Sequence, residues 1–310
     1  MDEMKAEYVW MDGEYIPWER ANVHVTTHAL HYGTGVFEGI RGYWNEDEKN
    51  VFLFRVPEHV KRLFFSAKVY RMEVPYPEEK VRDLCADVVS RNGIRDTCYI
   101  RPVLYRGAGP FGLNPFDNPV KMFIYALPFG RYLGEEALEK GVKVMFTSWE
   151  RISPRALPPE VKACGQYINS VLAKMEAVEN GFDEALFLDS RGFVSEGSGE
   201  NLFCVKGGEI YTPPLTASIL PGITRETVIQ LIREDGKAVA EVDITRSQLL
   251  GMDEVFMVGT AGEVTPITSI GEYQIGSGRC GEVTRSIQDM YFDAVMGRDE
   301  RHADWITPVY

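Results

Sequence analysis

Two residues with the right chemistry for a carbonyl cofactor stand in one stretch, Pro158 to Phe203, PPEVKACGQYINSVLAKMEAVENGFDEALFLDSRGFVSEGSGENLF. Lys162 sits just before a helical pattern, and Glu196 lies in a Gly/Ser-rich strand exit beyond it. An amine and a carboxylate brought together by a fold are what pyridoxal phosphate asks for, the amine for a Schiff base and the acid to hold a proton on the pyridine nitrogen. A lysine taken at random is solvated surface. The rest of the chain has to supply the other parts of such a site.

A phosphate needs a cradle, and two stretches offer one. At Leu220-Pro221-Gly222-Ile223-Thr224 a Gly-containing turn opens a helix, where N-H groups and the positive dipole end can meet an anion. Gly259-Thr260-Ala261-Gly262 is a small-residue turn directly after an apolar strand, able to present two N-H groups and a hydroxyl to phosphate or carboxylate. Each also reads as a plain helix start or tight turn. The glycine patterns of nucleotide folds, GxGxxG after a first strand and GxxxxGK[ST], are absent.

Composition narrows the partners. The 310 residues carry a formal charge of -13, with 45% apolar and 25% charged residues, a globular balance. So acidic a surface argues against nucleic acid or an anionic membrane. The N-terminus MDEMKAEYVW lacks a signal peptide's basic region and apolar core, and no apolar run reaches spanning length, so a soluble cytoplasmic protein is expected. The five cysteines are scattered, with no CxxC pair, and read as reduced thiols, Cys164 as a small packed residue. His24, His28 and His31 have suggestive spacing but no acidic or thiol companions, so they read as hydrogen-bonded structural histidines and no metal is expected.

The elements that must position these groups follow from pattern. Residues 7–18 predict a hairpin around Asp12-Gly13. A short helix near His28 to Tyr32 leads into strands VFEGIRGYW and VFLFR, then a helix opened by Pro57 and a second from Pro77 to Gly93. Strands CYIRPVLYR and VKMFIYAL follow. The Pro/Gly-containing stretch 128–141 is the expected connection between a smaller domain, 1–127, and a larger one, 142–310. Beyond it come strand VKVMFTSW, a helix from about Gln166 to Asn180, strands ALFLD, FVSEG, NLFCVK and EIYTP, and the helix in PGITRETVIQLIREDG. The strand EVFMVG with its turn precedes a closing amphipathic helix, EVTRSIQDMYFDAVMG. Strands in pairs mixed with helices, without regular βαβ alternation, make the class α+β.

The blocks HALHYGTGVFEGIR, YIRP, YLGEEALEKG, VKACGQY, VSEGSGENLF, LPGITRE, FMVGTAGEVTP and GRCGEVT run in this order over essentially the whole chain. In them the sequence resembles the class IV (branched-chain) pyridoxal phosphate aminotransferases. The resemblance implies the two-domain fold-type IV architecture (D-amino acid aminotransferase-like), with the cofactor in the cleft between a smaller N-terminal α/β domain and a larger cofactor-binding domain. It implies that Lys162 carries the cofactor and shuttles a proton, that Glu196 pairs with the pyridine nitrogen, and that Tyr167 hydrogen-bonds the phenolic oxygen. Arg62, Gly222, Ile223, Thr224, Gly259 and Thr260 would bind the phosphate, with Leu220 packing on the ring.

For substrate, the resemblance implies that the turn at Thr260 and Ala261 holds the α-carboxylate. Phe37, Phe129, Tyr132 and Tyr167 would line the side-chain pocket, joined by Tyr32, Phe111 and Leu113 of a neighbouring subunit. Arg101 and Tyr99 would receive the distal carboxylate of glutamate. The expected activity moves the amino group of L-leucine, L-isoleucine or L-valine to 2-oxoglutarate, in a homodimer or a hexamer. A D-amino acid aminotransferase or aminodeoxychorismate lyase of the same fold is the nearer alternative, disfavoured by HYGTGVFEGIR and YIRP. A non-catalytic pyridoxal phosphate carrier is the more distant one. Cys164, Gln166, Gly262 and Phe129 depart from the commoner family spelling, which bears on the ranking of substrates.

Overall fold

The structure, a computed structural model, describes residues 6–130 and 136–310. They fall into two compact units. One is formed by the chain up to Gly130 with Val161–Gln166 and Ala294–Tyr310, the other by the described part of 131–160 with Tyr167–Asp293. The expected connection at 128–141 does contain a change of unit, but the contiguous division is corrected to an interleaved one. Val161–Gln166 returns to the first unit because Phe37 N-H donates to Lys162 O (3.0 Å) and Gly165 N-H donates to Gly33 O (3.1 Å). Composition cannot show such a return, since it rests on pairing between distant segments.

In the first unit the strands are β1 (Tyr8–Met11), β2 (Glu14–Pro17), β3 (Gly35–Phe37), β4 (Ile40–Asn45), β5 (Asn50–Phe54), β6 (Cys98–Arg106) and β7 (Val120–Pro128), with a C-terminal strand Ile306–Pro308. Its helices are α1 (His28–Tyr32), α2 (Val56–Val69) and α3 (Glu78–Arg91). The sheet runs C-terminal strand, β5, β4, β6, β7, β1, β2, with β3 also on β6. The β1–β2 turn is two residues, Asp12 and Gly13, both with positive φ (50° and 109°), the conformation that such a hairpin loop demands. The single strand expected over VFEGIRGYW is corrected to β3 and β4. Glu38 and Gly39 interrupt it, and a Cβ on Gly39 would collide with the Tyr99 hydroxyl.

The apolar spacing of α2 and α3 closes one core. Val60, Leu63 and Ala67 of α2 are wholly buried with Val81, Leu84, Cys85, Val88 and Val89 of α3, the recurrence that a 3.6-residue period produces. The expectation that an amphipathic helix is the last element is corrected, because a strand follows it. Ile306–Pro308 pairs antiparallel with β5, and Arg55 N-H donates to Trp305 O (2.7 Å). Three residues are too few for an alternation to be read.

The second unit holds α4 (Ala137–Lys140), β8 (Val142–Glu150), α5 (Tyr167–Glu179), β9 (Glu184–Leu188), β10 (Val194–Gly197), β11 (Asn201–Lys206), β12 (Glu209–Thr212), α6 (Ile223–Glu234), β13 (Val239–Glu241), α7 (Arg246–Leu250), β14 (Glu254–Gly259), β15 (Glu263–Ile270), β16 (Tyr273–Gln274) and α8 (Glu282–Val295). Its strand order is β10, β9, β8, β15, β14, β11, β12, β13, with β16 on β15. β8 pairs parallel with both β9 and β15, whereas β11, β14 and β15 are antiparallel neighbours. The architecture is mixed α and β, as expected. β13 and α7 went unread in the sequence. β13 is three half-polar residues paired parallel to β12, and α7 is one turn held by a capping box between Thr245 and Gln248. No helix among the described residues is long and apolar enough to cross a membrane.

Candidate functional site

In the first unit, burial alternates along Val161 (2% exposed), Lys162, Ala163 (0%) and Cys164. Ala163 N-H donates back to Val161 O (3.1 Å), a tight turn that holds Lys162 half-buried between two buried neighbours. Backbone bonds pin it on both sides: its N-H donates to Ser66 Oγ of α2 (3.2 Å) and its carbonyl accepts from Phe37. Gly33, in the left-handed region at φ 66°, lies so close to Gly165 that a Cβ on it would come within 2.7 Å of the Gly165 Cα. The end of α1 is thereby clamped onto the lysine segment.

Around the lysine the expected aromatics gather. Lys162 Nζ lies 5.3 Å from the centroid of Phe37, and the Arg101 guanidinium lies 4.5 Å from the same ring. Arg101 Nη2 donates to the Tyr99 hydroxyl (3.1 Å), and Tyr99 packs on Phe129 at 5.3 Å between centroids. The buried Arg101 Nε has no hydrogen-bond partner among the described residues. Lys162, Phe37, Tyr99, Arg101 and Phe129 are thus one contiguous patch. Tyr132 lies outside the described residues.

Arg62 is engaged within the protein. Its Nε and Nη2 donate to the two oxygens of Glu38 at 2.7 and 2.9 Å, and His59 Nδ1 meets Glu38 Oε2 at 2.7 Å. Glu38 is wholly buried. Burial alone would push its carboxyl up, but the Arg62 charge and the bond and charge of His59 hold it far below the usual range. Burial pushes His59 the other way, down, against the pull of Glu38. This triad was missed by sequence reasoning. The one signal was an acid within the strand-like stretch VFEGIRGYW, with His59 and Arg62 on the next helix of that unit, α2.

In the second unit Glu196 is the next-to-last residue of β10 and is 4% exposed. Its Oε1 pairs with Arg151 Nη2 at 2.7 Å, and its Oε2 accepts from Asn201 Nδ2 (2.9 Å) and from Leu220 N-H (3.0 Å). Asn201 also donates to Leu220 O (3.0 Å), which ties the acid to the entrance of α6. There Gly222 is the N-cap and provides no side-chain cap, and the Ile223 and Thr224 that follow are 6% and 5% exposed. A Cβ on Gly222 would run into Asn201 Oδ1. Arg151 and Asn201 were not predicted, and neither belongs to the lysine-to-acid pairing that the sequence displays.

The second turn joins β14 to β15, with Gly259 paired to Glu263 across it. Thr260 and Ala261 are partly exposed at its tip, and Thr265 Oγ1 donates to Gly262 O (2.6 Å) beneath. Tyr167 is the half-buried first residue of α5. Tyr32, Phe111 and Leu113, expected to serve a neighbouring subunit, are 37%, 80% and 81% exposed in the first unit. The three histidines are hydrogen-bonded as expected: His28 to Thr34 and Gly112 O, His24 to Thr26, and His31 to Val25 O.

A family model described as Amino-transferase class IV matches residues 35–270. The branched-chain-amino-acid aminotransferase of Salmonella typhimurium is 45% identical over 310 residues, 100% of this chain and 99% of that protein. Among solved structures, the Escherichia coli branched-chain amino acid aminotransferase superposes with a TM-score of 0.95 at 45% identity, covering 99% of this chain and 100% of that one. The branched-chain amino acid aminotransferase from Thermobaculum terrenum in its PLP-form (holo-form) reaches 0.93 at 39% identity, again covering 99% and 100%.

Proposed function

The chain belongs to the class IV aminotransferase family, and on that premise we propose that it moves the amino group of L-leucine, L-isoleucine or L-valine reversibly to 2-oxoglutarate with pyridoxal 5'-phosphate. That it is a branched-chain amino acid aminotransferase follows from 45% identity maintained over the full length of such enzymes. Within the molecule, the observation that carries the reading is the Glu196 carboxylate, buried yet paired with Arg151 and two N-H donors.

The residues present fit the cofactor. Glu196 is an acid suited to keep a pyridine nitrogen protonated, since Arg151 compensates its burial. The start of α6 has a glycine N-cap without a side-chain cap, which suits phosphate. When bound, pyridoxal phosphate supplies a ring that withdraws electrons from the substrate Cα. Lys162 would hold the cofactor, and its amine is the base placed to move the substrate Cα proton. Tyr167 donates to the phenolic oxygen and Leu220 packs on the ring. Arg62, Gly222, Ile223, Thr224, Gly259 and Thr260 hold the phosphate, Arg62 while its fork rests on Glu38.

Thr260 and Ala261 take the substrate α-carboxylate. Phe37, Phe129, Tyr132 and Tyr167 enclose the side chain, where each buried methylene contributes about 0.8 kcal/mol. Arg101 and Tyr99 take the distal carboxylate of glutamate. A homodimer or hexamer in the cytoplasm completes the proposal. It is supported by the exposure of Tyr32, Phe111 and Leu113 and by a second exposed apolar row on α5, Ile168, Val171, Met175 and Val178. The five free cysteines fit a reducing compartment.

A panel of L- and D-amino donors with 2-oxoglutarate tests the substrate claim: turnover with L-leucine and none with D-leucine is expected. Lys162→Ala should abolish transamination while leaving the fold intact by circular dichroism. Normal turnover in that variant removes Lys162 from its role.

A further inference from the structure

We propose that Glu200 is a positioning residue: its side chain is the floor under the turn Gly259–Gly262, and its charge state sets how well that turn holds a substrate carboxylate. The inference rests on the reading that Thr260 and Ala261 receive that carboxylate. A Cβ built on Gly259 would lie 3.3 Å from Glu200 Cγ, and one on Gly262 would lie 3.2 Å from the same carbon. Both ends of the turn therefore pack closely on this one side chain. Glu200 is 5% exposed. Its Oε2 accepts from Gly199 N-H (3.1 Å), and its carbonyl accepts from Gly197 N-H (2.7 Å).

Three charged groups from three elements face it: Glu184 of β9, Lys174 of α5 and Glu196 of β10. Each neighbouring acid has its own cation, Glu184 at 3.0 Å from Lys174 Nζ and Glu196 at 2.7 Å from Arg151. Glu200 has no ion-pair partner among the described residues. Burial, and then the charge of Glu184, push its carboxyl up to about 8, against the Gly199 N-H and Lys174. At neutral pH the turn rests on an uncharged acid. At alkaline pH it rests on an anion that repels the carboxylate above it.

The test is binding of 4-methylpentanoate, and of its uncharged amide, to the holoenzyme by cofactor absorbance, from about pH 6.5 to about 9.5, around the middle of the titration. In the wild type, affinity for the acid should fall on the order of tenfold across this range, while affinity for the amide stays level. Glu200→Gln should retain the neutral-pH affinity and lose that alkaline fall, whereas Glu200→Ala, which removes the floor, should bind both ligands more weakly at every pH. An identical alkaline fall in Glu200→Gln overturns the proposal and leaves the carboxylate reading of the turn standing. Equal binding of acid and amide at every pH overturns the reading of the turn and the proposal with it. A second readout needs no ligand. A raised folded value makes stability fullest below about 4.5 and erodes it as pH rises to about 8, so the thermal midpoint of Glu200→Gln should gain on the wild type across that window. No gain there also overturns it.

Discussion

Glu38 is the residue whose neighbours matter most to its own existence in the core. A carboxylate with no exposure persists there because Arg62 meets it with two nitrogens and His59 with a third. Removing one partner of such a cluster strands the others, so Glu38→Gln should destabilise the protein by about 3–5 kcal/mol at neutral pH, measured by urea denaturation. The folded carboxyl titrates below its free value of 4.5. Its contribution is therefore complete above that value and is lost progressively on acidification. The gap between wild type and variant should narrow as the pH falls below about 4.5. At this scale the sequence singled out Lys162 and Glu196 only through the blocks around them, VKACGQY and VSEGSGENLF, since the same stretch also carries Lys174 and several other acids. It concealed Glu38, Arg151 and Glu200, whose meaning comes from burial and from partners far along the chain.

At the scale of elements, legibility followed length and period. β6 and β7 bury alternate residues over most of their nine positions, and α2 and α3 repeat their apolar residues over fourteen. Those were readable. β13 and α7 are too short for any period, and the break between β3 and β4 depends on the Tyr99 hydroxyl opposite Gly39. The start of α6 was readable from Pro-Gly, but not the reason for its glycine, which is the closeness of Asn201. Gly222→Ala should push Asn201 off Glu196 and Leu220 and lower the affinity for pyridoxal phosphate on the order of tenfold, as loss of a hydrogen bond to a charged group does. Equilibrium dialysis of the cofactor measures it, and unchanged affinity would show that Asn201 has no part in holding Glu196.

At the scale of the molecule, the largest apolar exposures among the described residues are Phe111 and Leu113, and the Phe111 ring lies 5.7 and 6.4 Å from those of His31 and Tyr32. Two such side chains left in water are unfavourable by about 1.5–3 kcal/mol each relative to burial. Replacing both with Ser should shift the protein towards the single chain in sedimentation velocity and raise the KM for L-leucine more than it lowers kcat. An unchanged sedimentation coefficient would take these residues out of the subunit contact.

The first unit also has an unusual relation to its own synthesis. Its edge strand is Ile306–Pro308, Asn50 bonds both Val309 and Tyr310, and the Tyr310 hydroxyl reaches Ile94 O at 2.8 Å. The edge of this sheet is therefore closed by residues that come far later in the chain than β5, and β5 stays uncovered until they have been made. A chain truncated before Ile306 should translate normally yet emerge with β5 uncovered, a ready template for another strand.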